Sequence, residues 1–251
     1  MPRKLSVAMI VRDEADRLGR TLDAITCADE IVVVDGGSGD GTPELALARG
    51  CRVLRRAFDG YGAQKAFAVS QCAHDWVLNL DADEVLTPEL NREIRELLAR
   101  PEIPEAAFEV EMQLVFMGRA FRWGRHAHER HVRLFDRGRA AYDGAEVHEG
   151  VRTREPVGRL RERLFHHSFR DQHHFVAKMN DYTTRGARML RARGRRRAPA
   201  LALLAWPFYF LRSWLLQGNI LNGAPGLVWS FYFSIQPVVK YLKTSDPDGG
   251  G

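Results

Sequence analysis

Asp81, Ala82 and Asp83 set two carboxylates one residue apart behind the apolar run Trp76-Val77-Leu78-Asn79-Leu80, and Glu84 follows directly. In extended geometry positions i and i+2 share a face. Two hard oxygen donors on one face suit Mg²⁺ or Mn²⁺, which need few protein carboxylates and take phosphate oxygens for the rest. Such a site bridges the chain to a nucleoside diphosphate and neutralises the charge that builds on it as it leaves. A second reading of the same acids is purely electrostatic: Asp and Glu favour the positive end of the helix that begins near Thr87.

Two further apolar runs end in acid. Leu5 to Val11 stops at Arg12-Asp13-Glu14, and Ile31-Val32-Val33-Val34 stops at Asp35. Asp35 suits a ribose or base hydroxyl. The loop after it, Gly36-Gly37-Ser38-Gly39-Asp40-Gly41-Thr42, lets backbone approach a ligand. It has no lysine and so fails the Walker pattern, and Thr42 stands where the third glycine of GxGxxG belongs.

Residues that converge this way need strands to carry them. Helical spacing at Leu18, Leu22 and Ile25 follows the first run; Thr42 reads as an N-cap with Pro43 in the first turn and Gly50 at the end; Thr87-Pro88 opens another helix. Strand and helix alternate to about residue 100, which predicts an α/β domain with a parallel sheet covered by helices. Ligands bind beyond the C-terminal ends of such strands, so the three acidic ends fall on one edge. Residues 106–170 read as a mixed sheet with loops over that edge, and eight of the nine histidines lie between 126 and 174.

The chain has 251 residues, enough for one large α/β domain or a domain with a C-terminal segment. Its formal charge of +5 suits anionic partners of several kinds. Cys27, Cys51 and Cys72 are odd in number and widely spaced, which argues for a reducing compartment and against a disulfide framework or a zinc knuckle. They read as core filler. The N-terminal apolar run is short and ends in charge, so it reads as a strand rather than a signal peptide. HAHERH at 126–131 does not have HExxH spacing.

From about residue 171 the text turns helical and basic, with seven arginines between 185 and 197. Residues 213–239 carry no charge, but Gln217, Asn219, Asn222, Gly223, Pro225 and Gly226 interrupt the stretch. A spanning helix would want about 20 mainly apolar residues. Arginines beside Trp, Phe and Tyr read as a segment lying on an anionic membrane surface; a helical hairpin packed on the domain is the plainer alternative. The expected division is residues 1–170 and 171–251.

LSVAMIVRDEADRLGRTLDAI, ADEIVVVDGGSGDGTPELA, GYGAQKAFAV, WVLNLDADEVLTPEL, RHVRLFDRG, VHEG and LFHHSF occur in this order. In that order they resemble family 2 glycosyltransferases of the GT-A fold, most closely the bacterial lipopolysaccharide core glucosyltransferase subgroup. The likeness covers nearly the whole chain. It implies a Rossmann-like, mostly parallel sheet flanked by helices, with a helical, basic and aromatic C-terminal extension. It implies that Asp35 contacts the uridine or sugar, that Asp13 and Glu14 flank the base, that Gln64 and Lys65 lie near the nucleotide, and that Asp81, Ala82 and Asp83 form a DxD site for Mn²⁺ or Mg²⁺. Relatives commonly carry Asn where this chain has Asp13.

The implied reaction transfers a sugar with inversion from a nucleotide sugar, UDP favoured, to an acceptor hydroxyl. One base must take the hydroxyl proton. Glu149 is first choice, with Glu146 and Asp143 in reserve; His148 completes the metal shell, orients the base, or is a loop histidine bonded to backbone. His166 and His167 fit either a metal or diphosphate role or plain packing, and Arg133 either a phosphate or the sheet edge. The implied acceptor is a glycolipid or polysaccharide, and the implied location is cytoplasmic, peripheral on the inner face of the membrane. Two other readings compete with this one. A nucleic-acid-binding protein would use the arginines, but three acidic strand ends repel a polyanion, so no nucleic acid is expected. A nucleotidyltransferase wants a glycine- and lysine/arginine-rich loop after the first strand, where VRDEADRLGR is acidic.

Overall fold

The computed structural model describes residues 2–142, 150–194 and 199–245. By internal packing the chain forms two compact units, residues 1–113 with 129–166, and residues 114–128 with 167–251.

The first unit opens with β1 (Leu5–Val11), α1 (Ala15–Asp23), β2 (Glu30–Asp35), α2 (Thr42–Ala48), β3 (Arg52–Arg55), α3 (Tyr61–Ser70) and β4 (Trp76–Asp81). A short β5 (Glu84–Leu86), α4 (Pro88–Leu98) and β6 (Ala107–Phe116) follow. The β7 strand (Arg119–Ala120) belongs to the second unit; β8 (Glu129–Asp136), β9 (Ala141–Tyr142), β10 (Val151–Arg152) and β11 (Val157–His166) return to the first. The sheet order is β3-β2-β1-β4-β8-β6-β11-β5. β1 pairs in parallel with both β2 and β4, and β2 with β3; β8 then runs antiparallel to β4. This is the α/β class expected, with the parallel strands grouped at the N-terminal half and a mixed portion beyond β4.

Strand sequences explain the layering. In β1, Leu5, Val7 and Met9 enter one core and Ala8 enters the other; in β4, Leu78 and Leu80 join the first and Val77 the second. Both faces are buried, so these strands read as continuous apolar runs rather than alternating ones. Leu18 and Leu22 of α1 and Leu90 and Ile94 of α4 cover the first face; Ala68 and Val69 of α3 cover the second. All three cysteines are buried, and burial pushes each thiol up to about 11. At that value the thiolate is scarce and the residues act as apolar filler.

The helix boundaries carry one correction. Thr42 is the first residue of α2, and Gly41 takes the cap position with a φ of 84°. The Thr42 hydroxyl is committed elsewhere: it accepts the Glu14 N–H at 2.9 Å and hydrogen-bonds Asp40. Thr87, by contrast, caps α4 as expected, accepting the Leu90 N–H at 3.1 Å.

The second unit holds α5 (Gln172–Ala192), α6 (Pro199–Leu211) and α7 (Gly223–Thr244), with the β6–β7 hairpin end. Its core is aromatic: Phe116, Phe121 and Phe175 pack on Trp229, with Phe116 and Trp229 ring centres 5.3 Å apart, edge to face. Lys243 near the end of α7 donates to the Asn180 carbonyl at 2.8 Å and the Thr184 hydroxyl at 2.7 Å, fixing α7 on α5. Among the described residues no helix is long and apolar enough to cross a membrane.

Candidate active site

The chain runs β1-β2-β3 to one side of β1 and then returns to place β4 on the other. Where strand order reverses, the loops diverge and leave a crevice at the C-terminal strand ends. Asp35 and Asp81 stand at that edge. Val11 is level with Asp35, and Ile10 with Asp81, so the two acids flank β1 about 10 Å apart at two strand spacings.

The glycine loop is built around Asp35. This nearly inaccessible carboxylate accepts the Gly37 N–H at 3.1 Å and the Ser38 N–H at 3.2 Å. Asp13 braces the loop from the other side: its N–H donates to Ser38 Oγ at 2.9 Å, and its carboxylate accepts the Gly39 N–H at 2.9 Å. Asp13 does this from a left-handed backbone, φ 54°. Asn and Asp tolerate that conformation better than other side chains. The Asp at this position therefore preserves the short polar acceptor that an Asn would supply.

Around β4 the acids meet cations. Lys65 Nζ lies 3.1 Å from Asp81, and Arg133 Nη2 lies 3.2 Å from the other Asp81 oxygen. The same Arg133 nitrogen bonds Glu84, which is wholly buried, and the second Glu84 oxygen accepts the Asp81 N–H at 3.2 Å. Asp83 sits 3.2 Å from Arg17 Nη1 and 3.6 Å from His166 Nε2; Arg17 also bonds Glu14. Ala82 is buried, and its carbonyl accepts the Thr21 hydroxyl at 2.6 Å.

The strands explain who meets whom. Arg133 lies on β8, antiparallel to β4, and β11 brings His166 level with Glu84. Ala82 and Asp83 form a turn between β4 and β5. The shared-face argument for an extended pair therefore does not describe them, and each acid turns to its own cations.

Protonation follows these contacts. Burial alone would raise the Asp81 pKa, but Arg133 and Lys65 outweigh it and hold the carboxyl down to about 2. Burial acts the same way on Asp83, and the adjoining His166 ring, helped by Arg17, draws it below the ordinary value. Burial wins at Glu84, whose pKa is raised even beside Arg133. His166 would be lowered by burial, but Asp83 and the acids behind it raise it.

Gln64 and Lys65, at the start of α3, are both buried. Gln64 Nε2 donates to the Arg56 carbonyl at 3.2 Å, while its Oε1 is buried without a hydrogen-bond partner. Arg133 Nε is in the same condition. Orphaned buried polar atoms beside a crevice call for an explanation, and a polar ligand is one. Among the described residues no three His, Cys, Asp or Glu side chains form a ready-made metal cage. Asp81 and Asp83 nonetheless carry the donor type that Mg²⁺ and Mn²⁺ take when substrate phosphates supply the other ligands.

Asp143, Glu146, His148 and Glu149 lie outside the described residues. His167 is half-buried and starts the second segment of the second unit. His128 approaches the Arg122 carbonyl at 3.2 Å, and His131 lies 3.9 Å from Glu129. The sequence reading missed Arg17 altogether. Its only sequence signal is its place three residues after Glu14 on a helix beginning at an acidic strand end.

The description "Glycosyl transferase family 2" matches residues 6–104. Lipopolysaccharide core biosynthesis glycosyltransferase LpsC of Rhizobium meliloti is 31% identical over 231 residues, covering 89% of this chain and 85% of that protein. The chain belongs to glycosyltransferase family 2. This glycosyltransferase is also 27% identical to an uncharacterized glycosyltransferase of Rickettsia bellii, over 97% of its own length and 86% of the relative's. Among solved structures, mannosyl-3-phosphoglycerate synthase of Rubrobacter xylanophilus matches at 26% identity and a TM-score of 0.39, over 44% of this chain and 40% of that one. The glycosyltransferase thus spans less than half of that protein, and at that coverage the likeness says nothing of its substrate. Moving a sugar is the shared activity of the family. Asp35 and Asp81 end their strands at the edge where an α/β enzyme holds its ligand, with Asp83 in the turn after Asp81 and Lys65 beside Asp81.

Proposed function

We propose that the protein is an inverting glycosyltransferase taking a hexose from a nucleotide sugar, UDP-hexose by preference, to a hydroxyl of a lipid-linked glycan or lipopolysaccharide-core acceptor. The observation that carries this is the placement of Asp81 and Asp35 on either side of β1 at the point where strand order reverses. In this reading Asp35 takes a ribose or base hydroxyl, the braced loops at Asp13–Glu14 and Ser38–Gly39 flank the base, and Gln64 Oε1 finds a donor on the nucleotide. Lys65 and Arg133 sit beside Asp81, close enough to serve the diphosphate oxygens.

Asp81 and Asp83 would hold Mn²⁺ or Mg²⁺ against the diphosphate, and the cation would supply charge neutralisation for the leaving group. The acceptor oxygen bonds to the anomeric carbon as the carbon–oxygen bond to the diphosphate breaks. Glu149 takes the acceptor proton, with Glu146 and Asp143 as reserves, and His148 orients the base or joins the metal shell. LpsC's name supports a lipopolysaccharide-type acceptor. The basic, aromatic residues 171–251 are proposed to hold the enzyme on the inner face of the cytoplasmic membrane, where a glycolipid acceptor lies. The reading includes no nucleic acid, which the acidic strand ends would repel.

The test is thermal stability with UDP and Mn²⁺, singly and together, in the full-length protein. The reading expects a joint shift that Asp83→Ala abolishes; no shift with any nucleoside diphosphate would overturn it. Glu149→Gln should keep the joint shift and lose transfer, and retained turnover would move the base elsewhere.

A further inference from the structure

Between α6 and α7 the chain makes two short turns, Arg212–Leu216 with π-type bonding and Asn219–Asn222 with 3₁₀ bonding. Their apolar side chains face out: Leu216 is 80% exposed and Leu221 62%, with Leu215 and Ile220 also exposed. Trp123, 53% exposed, lies on the loop beside them. The Asn222 side chain joins the two segments. Asn222 Oδ1 accepts the Arg122 N–H at 3.0 Å and the Trp123 N–H at 3.2 Å, and its Nδ2 donates to the Trp123 carbonyl at 2.8 Å. Asn219, fully buried, donates to the Ser213 carbonyl at 2.9 Å. These bonds pin both backbones, so the apolar residues project from a built surface and not from a frayed end.

The charge around them has one sign. Arg119, Arg122, Arg125 and Arg212 are all exposed. No Asp or Glu occurs in residues 114–128 or 182–245. Leucines projecting from a firm turn, a tryptophan on the adjoining loop and exposed arginines on the same two segments match the interface of an anionic bilayer, with apolar groups in the acyl boundary and guanidinium groups at the phosphates. A second copy of the chain would bring the same arginines and repel the first.

We propose that this knob, Leu215, Leu216, Ile220 and Leu221 locked to the Trp123 loop through Asn222, is a wedge that inserts shallowly into an anionic lipid bilayer. It rests on the reading that the enzyme works at a membrane surface, and it names the part that enters the membrane. The arginine run at 185–197 then adds attraction without insertion.

The test uses the full-length protein and flotation with vesicles of equal parts phosphatidylglycerol and phosphatidylcholine, or of phosphatidylcholine alone. The parent should float with the mixed vesicles only. Leu216→Asp/Leu221→Asp should weaken that binding by at least about tenfold per leucine. Its circular dichroism and melting should not change, because both side chains are exposed. Brominated acyl chains should quench parent fluorescence, and Trp123→Phe should remove that quenching. Variant binding equal to the parent, with release by Arg195→Gln/Arg196→Gln/Arg197→Gln instead, overturns the wedge and leaves the membrane reading standing. A parent that binds no vesicle overturns both. A parent dimer that dissociates in the leucine variant, without lipid binding, assigns the face to a second copy and overturns the wedge.

Discussion

Arg133→Met breaks the most buried charge arrangement in the first unit. Arg133 serves Glu84, which is wholly buried, and Asp81, which keeps a third of its side chain in solvent and retains Lys65 at 3.1 Å. The loss therefore falls mainly on Glu84. Removing one partner of a buried pair costs about 3–5 kcal/mol because the other charge is stranded. At about 2–4 °C per kcal/mol for a chain of this size, melting should fall by about 6–20 °C. Two further measurements separate a stranded charge from a simple packing defect. Arg133→Met/Glu84→Gln removes the stranded charge and should regain at least about half of the loss at neutral pH.

The single variant should also respond to pH in a fixed direction. Burial already raises the Glu84 pKa, and loss of the guanidinium raises it further. A group whose folded pKa is raised contributes stability below its unfolded value and loses it as pH rises through the folded value. The deficit of Arg133→Met relative to the parent should therefore be smallest near about pH 5 and grow towards about pH 8. Circular dichroism melts of the three proteins across that range decide it. A double variant no more stable than the single one, or a deficit that shrinks as pH rises, refutes the argument.

Three other outcomes follow from local geometry. Asp13→Asn should leave melting within about 0.5 kcal/mol of the parent, since Asn keeps both the acceptor and the left-handed backbone, whereas Asp13→Val should lose about 1–2 kcal/mol. His166→Gln should cost most below about pH 6.5 and little near pH 8.5, because the raised imidazole pKa supplies stability that fades as the ring deprotonates; a denaturant titration at both pH values measures it. Gly226→Ala puts a Cβ into the Asn219 carbonyl oxygen, so α7 must shift and unfolding of the second unit should come earlier by about 1–3 kcal/mol, read by Trp fluorescence.

The strand-end acids were legible because a buried parallel strand is written as an unbroken apolar run, and a charge after such a run is conspicuous. Leu5–Val11, Ile31–Val34 and Trp76–Leu80 each announced both the strand and its end. The pairing of these acids with their cations was not legible. Arg17, Arg133 and His166 reach Asp81, Asp83 and Glu84 from α1, β8 and β11, and the partners in all four of these pairings are 49 to 83 positions apart in the chain. No periodicity records which strand will lie beside which. Thr42 shows the local limit: Ser/Thr before a proline signals a cap, but the hydroxyl was taken by Asp40 and Glu14, partners supplied by the fold.

The cations change what the acids can do. Four carboxylates, Glu14, Asp81, Asp83 and Glu84, face three permanent cations, Arg17, Lys65 and Arg133, and His166 becomes a fourth when protonated. The cluster is thus one charge short of positive balance when His166 is neutral. A diphosphate arriving alone meets a slightly negative rim, and a divalent cation arriving alone must compete with Lys65 and Arg17 for carboxylate oxygens. In the proposed reading the two together would resolve both difficulties: a bound metal would turn the rim positive, and the diphosphate would supply the oxygens that the protein keeps engaged elsewhere. Coupling between two ligands is reciprocal, so each should tighten the other by the same factor. That is why the stability shift expected with UDP and Mn²⁺ together should exceed the sum of the two separate shifts.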